Sequence, residues 1–509
     1  MLIVIDRGSA VPIYQQVFSG IRGLISQGVL KPGEQIPSTR ELSSKLGVSR
    51  RTIDQAFALL QSDGVIESHV GQGSFVSRAA QRAAGATSKN FERDESGVEP
   101  DFWESILPDE SERASVEHMV IAAGNSVPYS FVAAMPDPKL FPVQRFRRCV
   151  DTVLKRSGRS LTELGDTYGY YPLREYLAKR LQRDSIQVAP DEILITSGCQ
   201  QSLNLISLLL VSANDSVVIE NPTYPGALRA LTLRAGRSHG IQTPITEQSL
   251  ALLPEILERE RPKLIYAVSN YQNPTGGLMG INERKQLVNM ALQYKIPIIE
   301  DDVFGELHFE GTRLPNLKAF DKKGSVILIN SFSKSLNTGI RIGWIAASRK
   351  VIEQLSYFKE VVDLQTNGIV QAALYTFCRR GILDRHLKRV RRIFMGRRDA
   401  LMESLTRYFP RDCFWSHPKG GLSIWVTLPP DLDSRKLFWL AQAKGVAFFP
   451  GEFFYFGSRT RRNTLRIGFG TLEPEKITEG IKILGSLLSR SESTISRAYS
   501  LNRRRYPIT

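Results

Sequence analysis

From Ser130 onward, short apolar runs recur at spacings that leave room for a helix between most of them: residues 193–196, 217–220, 264–268, 296–300, 326–330 and 342–346. Each run has the length of a buried strand. Strands alternating with helix-length segments predict an α/β fold, a mostly parallel sheet with helices on both faces. Ligands on such sheets bind beyond the carboxyl ends of the strands. The polar clusters of this chain all lie at those ends.

Thr196-Ser-Gly-Cys-Gln200 closes one strand and opens a helix, where unpaired N–H groups and the helix dipole suit a phosphate. Such turns are also Gly/Ser-rich for steric reasons, so this cluster alone has two readings. Asn273-Pro-Thr-Gly276 follows another strand and reads by itself as a turn. Glu300-Asp-Asp302 ends a buried strand and reads either as metal ligands or as the partner of a buried cation; His308 is the single histidine nearby, which favours the cation. Ser331-Phe-Ser-Lys334 ends a further strand, seven residues ahead of Arg341. A lysine at a strand end between hydroxyls is a candidate for a desolvated, nucleophilic amine.

Residues 1–78 have a different pattern. Ile13, Val17, Ile21, Leu24 and Ile25 share one face of a helix that starts after Pro12. Ser38-Thr-Arg-Glu41 has capping-box spacing, with Ser38 as N-cap and Glu41 reaching back. Leu42 and Leu46 form the buried side of that second helix. Gly47-Val-Ser49 makes a turn, and Ser49 caps a third helix that carries Ile53, Phe57 and Leu60 inward. Two β-like runs, 65–70 and 74–77, are hinged at Gly71-Gln72-Gly73. Three helices and a β-hairpin predict a winged helix-turn-helix. In that geometry Ser49, Arg50, Arg51 and Thr52 begin the helix that enters the major groove, Arg40 faces the DNA backbone, and the glycine tip approaches closely. A small three-helix bundle can also be a structural or protein-binding module; the combined pattern favours DNA.

Net charge supports a polyanionic partner. The chain carries +16, yet residues 79–128 hold ten Asp/Glu against four Lys/Arg, while residues 1–78 hold six against eight. The acidic stretch reads as a tether, with Trp103, Ile106 and Leu107 as an apolar knot that is either incidental packing or a docking motif. Residues 379–398 hold nine Lys/Arg against one acid, and Leu383, Leu387, Val390 and Phe394 give them a buried stripe. A docked helix with a solvated basic face is the ordinary reading; neutralising DNA phosphates is the sharper one. No run of ~18 apolar residues occurs, so no membrane span is expected, and the early Asp6 does not suit a secretory signal. Cys149, Cys199, Cys378 and Cys413 form no CxxC pair, so a disulfide framework and a zinc site are not expected, and a reducing cytoplasm fits.

The N-terminal unit resembles the GntR family of bacterial regulators, through Pro12-Ile-Tyr-Gln-Gln16, Leu30-Lys-Pro-Gly33, Ile36-Pro-Ser38, Arg40-Glu-Leu42, Leu46-Gly-Val-Ser-Arg50 and Gly71-Gln-Gly73. Asp54 departs from it, where many members place a basic or amide side chain toward DNA. The ordered clusters of the larger part resemble fold-type I pyridoxal phosphate (PLP) enzymes of the aspartate aminotransferase superfamily, with a large and a small lobe. That resemblance implies that Lys334 forms an imine with PLP and that Ser331, Ser333, Arg341, Cys199 and Gln200 hold its phosphate. Asp301 would pair with the pyridine nitrogen, Asn273 would bond the ring O3′, and Tyr224 would stack on the ring. Tyr168 would reach the phosphate of a partner subunit, and Arg466 would clamp a substrate or effector carboxylate. Where the family usually offers a tyrosine to O3′, this chain has Val303 and Phe304. Loss of that donor is expected to raise the imine pKa and leave it protonated and yellow at neutral pH.

A GntR unit ahead of an aminotransferase-like body resembles the MocR subfamily. The implied organisation is a winged helix-turn-helix at 1–78, a linker at 79–128 and a PLP-binding domain at 129–509, as a homodimer with DNA-binding domains swapped between subunits. The implied function is transcription regulation by DNA binding, controlled by an amine or amino-acid effector, or by PLP itself, at Lys334. The alternative is a working aminotransferase that carries a DNA-binding arm.

Overall fold

A computed structural model describes residues 13–26, 30, 33–62, 65–69, 73–77, 112–161, 163–457 and 460–489. The chain divides into two compact units, with the boundary between Pro108 and Asp109.

In the first unit, helices Ile13–Ser26, Thr39–Leu46 and Arg50–Ser62 enclose a core of Val17, Ile21, Leu42, Ile53, Ala56, Phe57 and Leu60. Ser38 Oγ caps the second helix by accepting from Glu41 N at 3.2 Å. The carboxylate of Glu41 does not reach back as the spacing suggested, because it accepts from Lys45 Nζ at 2.8 Å one turn on. The hairpin Ile66–His69/Gly73–Val76 has a third strand, Gln35–Ile36, antiparallel to Gly73–Val76. Two residues are too few to leave an alternating signature, so sequence reading missed it.

The second unit is built on a seven-stranded sheet. Its order is Ile193–Thr196, Gly343–Ala346, Val326–Ser331, Ile298–Asp301, Ile265–Ala267, Ser216–Asn221, Arg237–Gln242. All neighbours are parallel except Gly343–Ala346, which runs against both of its partners. All six runs read from sequence are present. The seventh strand, Arg237–Gln242, escaped notice because at the sheet edge it buries Ile241 alone. Alternate residues feed opposite faces: Ile193, Ile195, Leu328 and Trp344 join one core, and Leu194, Ile327, Ile329 and Ile345 the other. Burial on both faces is why these strands read as continuous apolar runs. A smaller antiparallel sheet, ordered Phe414–Trp415, Ser423–Thr427, Thr464–Gly468, Phe449–Pro450, forms the second lobe beside helices Ile382–Tyr408 and Pro474–Leu488.

Helix Glu112–Asn125 lies inside the segment read as linker. Val116 and Val120, one turn apart, are buried, and Glu117 pairs with Arg229 at 2.5 Å. These contacts with the large body outweigh the acidic composition on which the tether reading rested. Trp103, Ile106 and Leu107 lie outside the described residues.

The long basic helix buries Leu383, Leu387, Val390 and Phe394 as its spacing implied. Its cations are divided between two roles. Arg397 is 1% exposed and donates to Gly470 O at 2.6 Å, Asp137 at 3.0 Å and Glu473 at 2.6 Å. Arg398 meets Glu310 and Asp399, and Arg391 meets Glu306. Replacing Arg397 by alanine strands the buried Asp137 carboxylate, and such losses cost about 3–5 kcal/mol. Urea unfolding of Arg397→Ala should show that deficit; a loss below about 1 kcal/mol contradicts the assignment.

Candidate functional site

Three successive acids end strand Ile298–Asp301, and each has its own partners. Glu300 accepts from Ser269 Oγ at 2.5 Å and from the backbone N–H groups of Leu317 and Lys318 at 2.7 and 3.0 Å. Asp302 accepts from Asn270 Nδ2 at 2.6 Å and pairs with Arg313 at 2.6 Å. Both are held by partners within the protein, Asp302 by the cation of Arg313. Asp301 alone turns to the site. It accepts from the Tyr266 hydroxyl at 3.0 Å and from Val303 N at 3.1 Å, and burial pushes its carboxyl up to about 6.

Lys334 sits on the short helix Phe332–Ser335 that follows the next strand. Its Nζ donates to Ala134 O at 3.0 Å and lies 5.8 Å from the centre of the Phe304 ring. Burial, and then the nearby Arg466 guanidinium, bring the amine down from 10.5 to about 8. An amine so tuned has a substantial neutral, nucleophilic fraction near neutral pH. Phe304, 3% exposed, presents an aromatic face and no hydroxyl.

Arg466, on strand Thr464–Gly468, reaches across from the small lobe. It donates to Asn273 Oδ1 at 3.0 Å and to Val132 O at 2.5 Å. The rings of Phe449 and Phe454 lie 5.1 and 4.9 Å from its guanidinium carbon, and burial lowers its pKa to about 10. Its buried Nε has no partner. A buried guanidinium with an unused donor is equipped to take a carboxylate.

The anion end is formed by two loops. Ser331 Oγ accepts from Ser333 N at 3.1 Å and lies 2.9 Å from Ser333 Oγ. Arg341 has a left-handed backbone (φ 53°), and its Nη2 donates to Ser197 O at 2.7 Å. Gly198 (φ 108°) precedes helix Cys199–Leu210, and a Cβ there would come within 2.8 Å of Arg341 Nη2. The first turn of that helix carries N–H groups that helix geometry leaves unpaired. Burial raises the Cys199 thiol well above its usual range, so its side chain offers no anion. Gln200 spends its side chain on Gly226 O at 3.1 Å and on the Tyr224 hydroxyl at 3.4 Å. Cys199 and Gln200 are therefore left with backbone N–H groups for a phosphate, while Tyr224 borders the same space.

Tyr168 is pinned through its carbonyl, which accepts from Ile195 N at 2.9 Å, and its ring lies 5.4 Å from the Arg174 guanidinium carbon. Sequence reading missed Tyr266 and the carbonyls of Val132 and Ala134. A tyrosine inside a strand and main-chain oxygens in an apolar stretch leave no motif.

In the N-terminal unit, Arg50 and Arg51 stand exposed at the start of helix Arg50–Ser62, and Arg40 is exposed on the helix before it. Ser49 Oγ accepts from Thr52 N at 3.2 Å, and the two hydroxyls lie 2.7 Å apart. Asp54 is exposed on the same helix. Gly73 adopts φ 104°; Gly71 and Gln72 lie outside the described residues.

The aminotransferase class I and II family matches residues 135–484, and the bacterial regulatory proteins of the gntR family match residues 13–76. An uncharacterised HTH-type transcriptional regulator of Escherichia coli K12, YdcR, is 31% identical over 93% of this chain and 98% of its own length. The probable rhizopine catabolism regulatory protein MocR of Rhizobium meliloti is 28% identical over 97% of both chains. The chain belongs to the MocR-type regulators of the GntR family. Its second unit shares the fold of Pyrococcus horikoshii kynurenine aminotransferase, solved with PMP (TM-score 0.70, 35% identity, 76% of this chain and 96% of that one). This MocR-type chain is thus a DNA-binding transcriptional regulator on an aminotransferase fold, a family whose cofactor is PLP. Its residues fit that group: a tuned lysine, a buried carboxylate held by Tyr266, and a serine–arginine–glycine cradle at a helix start.

Two outcomes follow. PLP added to cofactor-free protein should be captured at a rate that rises with pH and levels off just above the Lys334 value of about 8; a rate still climbing at about pH 10, the ordinary lysine range, contradicts it. Phe304→Tyr, which restores a hydroxyl donor beside the lysine, should move the pH midpoint of the loaded protein's near-visible absorbance down by about one unit or more. An unmoved midpoint would mean that Phe304 does not face the cofactor oxygen.

Proposed function

We propose that this regulator senses an amine or amino acid at Lys334 and transmits the result through the segment that precedes the site. The observation carrying this reading is that Lys334 Nζ and Arg466 Nη2 both donate to one stretch of backbone, at Ala134 O and Val132 O. That stretch follows helix Glu112–Asn125 and strand Tyr129–Ser130, and so leads in sequence toward the DNA-binding unit.

PLP supplies an aldehyde carbon that bonds one amine at a time. With an effector amine in that place, Lys334 would keep its donation to Ala134 O, and Arg466 would turn from Val132 O and Asn273 to the effector carboxylate. That exchange changes which carbonyls of residues 132–134 are held. The lobes have space to respond, since a cleft of about 1030 Å³ separates Gln242 and Thr275 of one from Trp425 and Arg461 of the other. Ser331, Ser333, Arg341 and the first turn of helix Cys199–Leu210 would hold the phosphate, Asp301 the ring nitrogen, and Tyr224 the ring face. Tyr168 is assigned to the partner's site in a homodimer with exchanged DNA-binding units, and the four free cysteines suit the cytoplasm. The winged unit spans residues 1–78, and the body begins with helix Glu112–Asn125 rather than at residue 129.

An effector that moves a 1:99 balance to 99:1 needs ~5.5 kcal/mol of differential affinity between the two states. Lys334→Ala should bind DNA like the parent and ignore a panel of amino acids that shifts the parent's affinity. A variant that still responds excludes amine exchange as the signal. Conversion of bound PLP to its amine form in a single turnover would instead favour a working aminotransferase.

A further inference from the structure

We propose that the aminotransferase-like body carries its own DNA-binding track, made of two arginine rows on neighbouring helices. The proposal rests on the regulator reading and extends it to a surface of the second unit.

Helix Val143–Leu161 buries Cys149 and Val153, with Phe146 and Val150 packed on the same core. At 3.6 residues per turn, Arg145, Arg148, Thr152, Lys155 and Arg156 then fall in a single stripe away from that core, just ahead of a break in the helix at Ser157 (φ −140°, ψ 18°). The one acid of this helix, Asp151, stands on the other flank beside Arg147, at 4.0 Å. On helix Ile382–Tyr408 the residues opposite the buried face are Arg385, Lys388, Arg389 and Arg392, all exposed. The two rows join. Arg380 Nη2 donates to Thr152 Oγ1 at 3.3 Å, Arg385 Nη2 to Arg380 O at 3.1 Å, and Arg389 Nη2 to Leu140 O at 3.5 Å, just ahead of the first helix.

Charge neutralisation separates this surface from the rest of the helix. Arg391, Arg397 and Arg398 are each paired with carboxylates. Among the described residues, Arg145, Arg148, Lys155, Arg156, Arg380, Arg385, Lys388, Arg389 and Arg392 have no Asp or Glu within ion-pair distance; the acid on the second helix, Asp384, is taken by Arg180. Concentrating unpaired cations of one sign destabilises a surface unless a polyanion covers it.

Duplex DNA fits this chemistry. From Arg145 to Arg156 the stripe runs about 16 Å at 1.5 Å per residue. One DNA strand presents about five phosphates over that length. The stripe carries no aromatic ring on which single-stranded bases could stack, and no apolar side chain to enter a membrane. Contacts of this kind are to phosphates, so they add affinity and position the duplex without reading sequence.

The test measures the salt dependence of binding by full-length, PLP-loaded protein to mixed-sequence duplexes of about 20 and about 60 base pairs, since each phosphate contact contributes about 0.9 to the slope of log K against log[KCl]. The variant carries Arg148→Gln, Arg156→Gln, Arg385→Gln, Arg389→Gln and Arg392→Gln together; a second carries Arg50→Ala and Arg51→Ala. The track predicts that the five-fold variant flattens the slope on the long duplex by about 2 or more. If that variant does not fold, as judged by elution volume and yellow colour, Arg148→Gln and Arg389→Gln singly should each remove about 0.9. An unchanged slope in these variants, with a flattened one in the Arg50/Arg51 variant, overturns the track and leaves the regulator intact. A change in subunit association with no change in slope also overturns it, assigning the surface to the protein's own assembly. Failure of the parent protein to bind either duplex sinks the DNA-binding reading itself.

Discussion

Three carboxylates buried in succession at the end of one central strand set the terms for everything around them. Burying a charge costs several kcal/mol unless partners replace the lost water. Glu300 is met by Ser269, Asn316 and two main-chain N–H groups, and Asp302 by Asn270, Asn330 and Arg313. Those demands fix the loops after two strands and the start of helix Leu317–Phe320. Only the middle acid is left over for chemistry. Tyr266 holds it in place without neutralising it.

The same accounting explains the cationic side of the site. Lys334 and Arg466 are both removed from water, and the nearby guanidinium further disfavours the charge of the amine. Each donates to a carbonyl of residues 132–134. In the proposed reading, a bound effector competes for these donors, and that competition links occupancy to the backbone that leads in sequence toward the N-terminal unit.

Much of this was visible in the residues alone. Six strands were placed from their apolar runs, because two-faced burial leaves an unbroken hydrophobic signature. Ser331, Lys334 and Arg341 stood out for their chemistry at a strand end. The features that stayed hidden share a physical cause: they depend on contacts between segments far apart in sequence. The edge strand Arg237–Gln242 buries too little to show a pattern. Helix Glu112–Asn125 was masked by acids, one of which, Glu117, is held by Arg229 from over a hundred positions away. The charge count of residues 379–398 could not separate Arg397, sealed in the interior, from Arg389 on the outside. The side-chain commitment of Gln200 to Gly226 and Tyr224, which leaves its backbone N–H for a phosphate, was likewise invisible in the motif.

The reversed strand Gly343–Ala346 has a consequence of its own. A strand running opposite to its neighbours begins where they finish, so the residue just ahead of it lies at the rim where the other strands end. This is how a lysine and an arginine only seven positions apart come to lie at one end of the sheet, where the proposed reading assigns one to the reactive carbon of a small molecule and the other to its anionic tail. Had that strand been parallel, a full crossover helix would have had to intervene. The pair would then have been scattered along the chain, and no short motif would have announced the pocket.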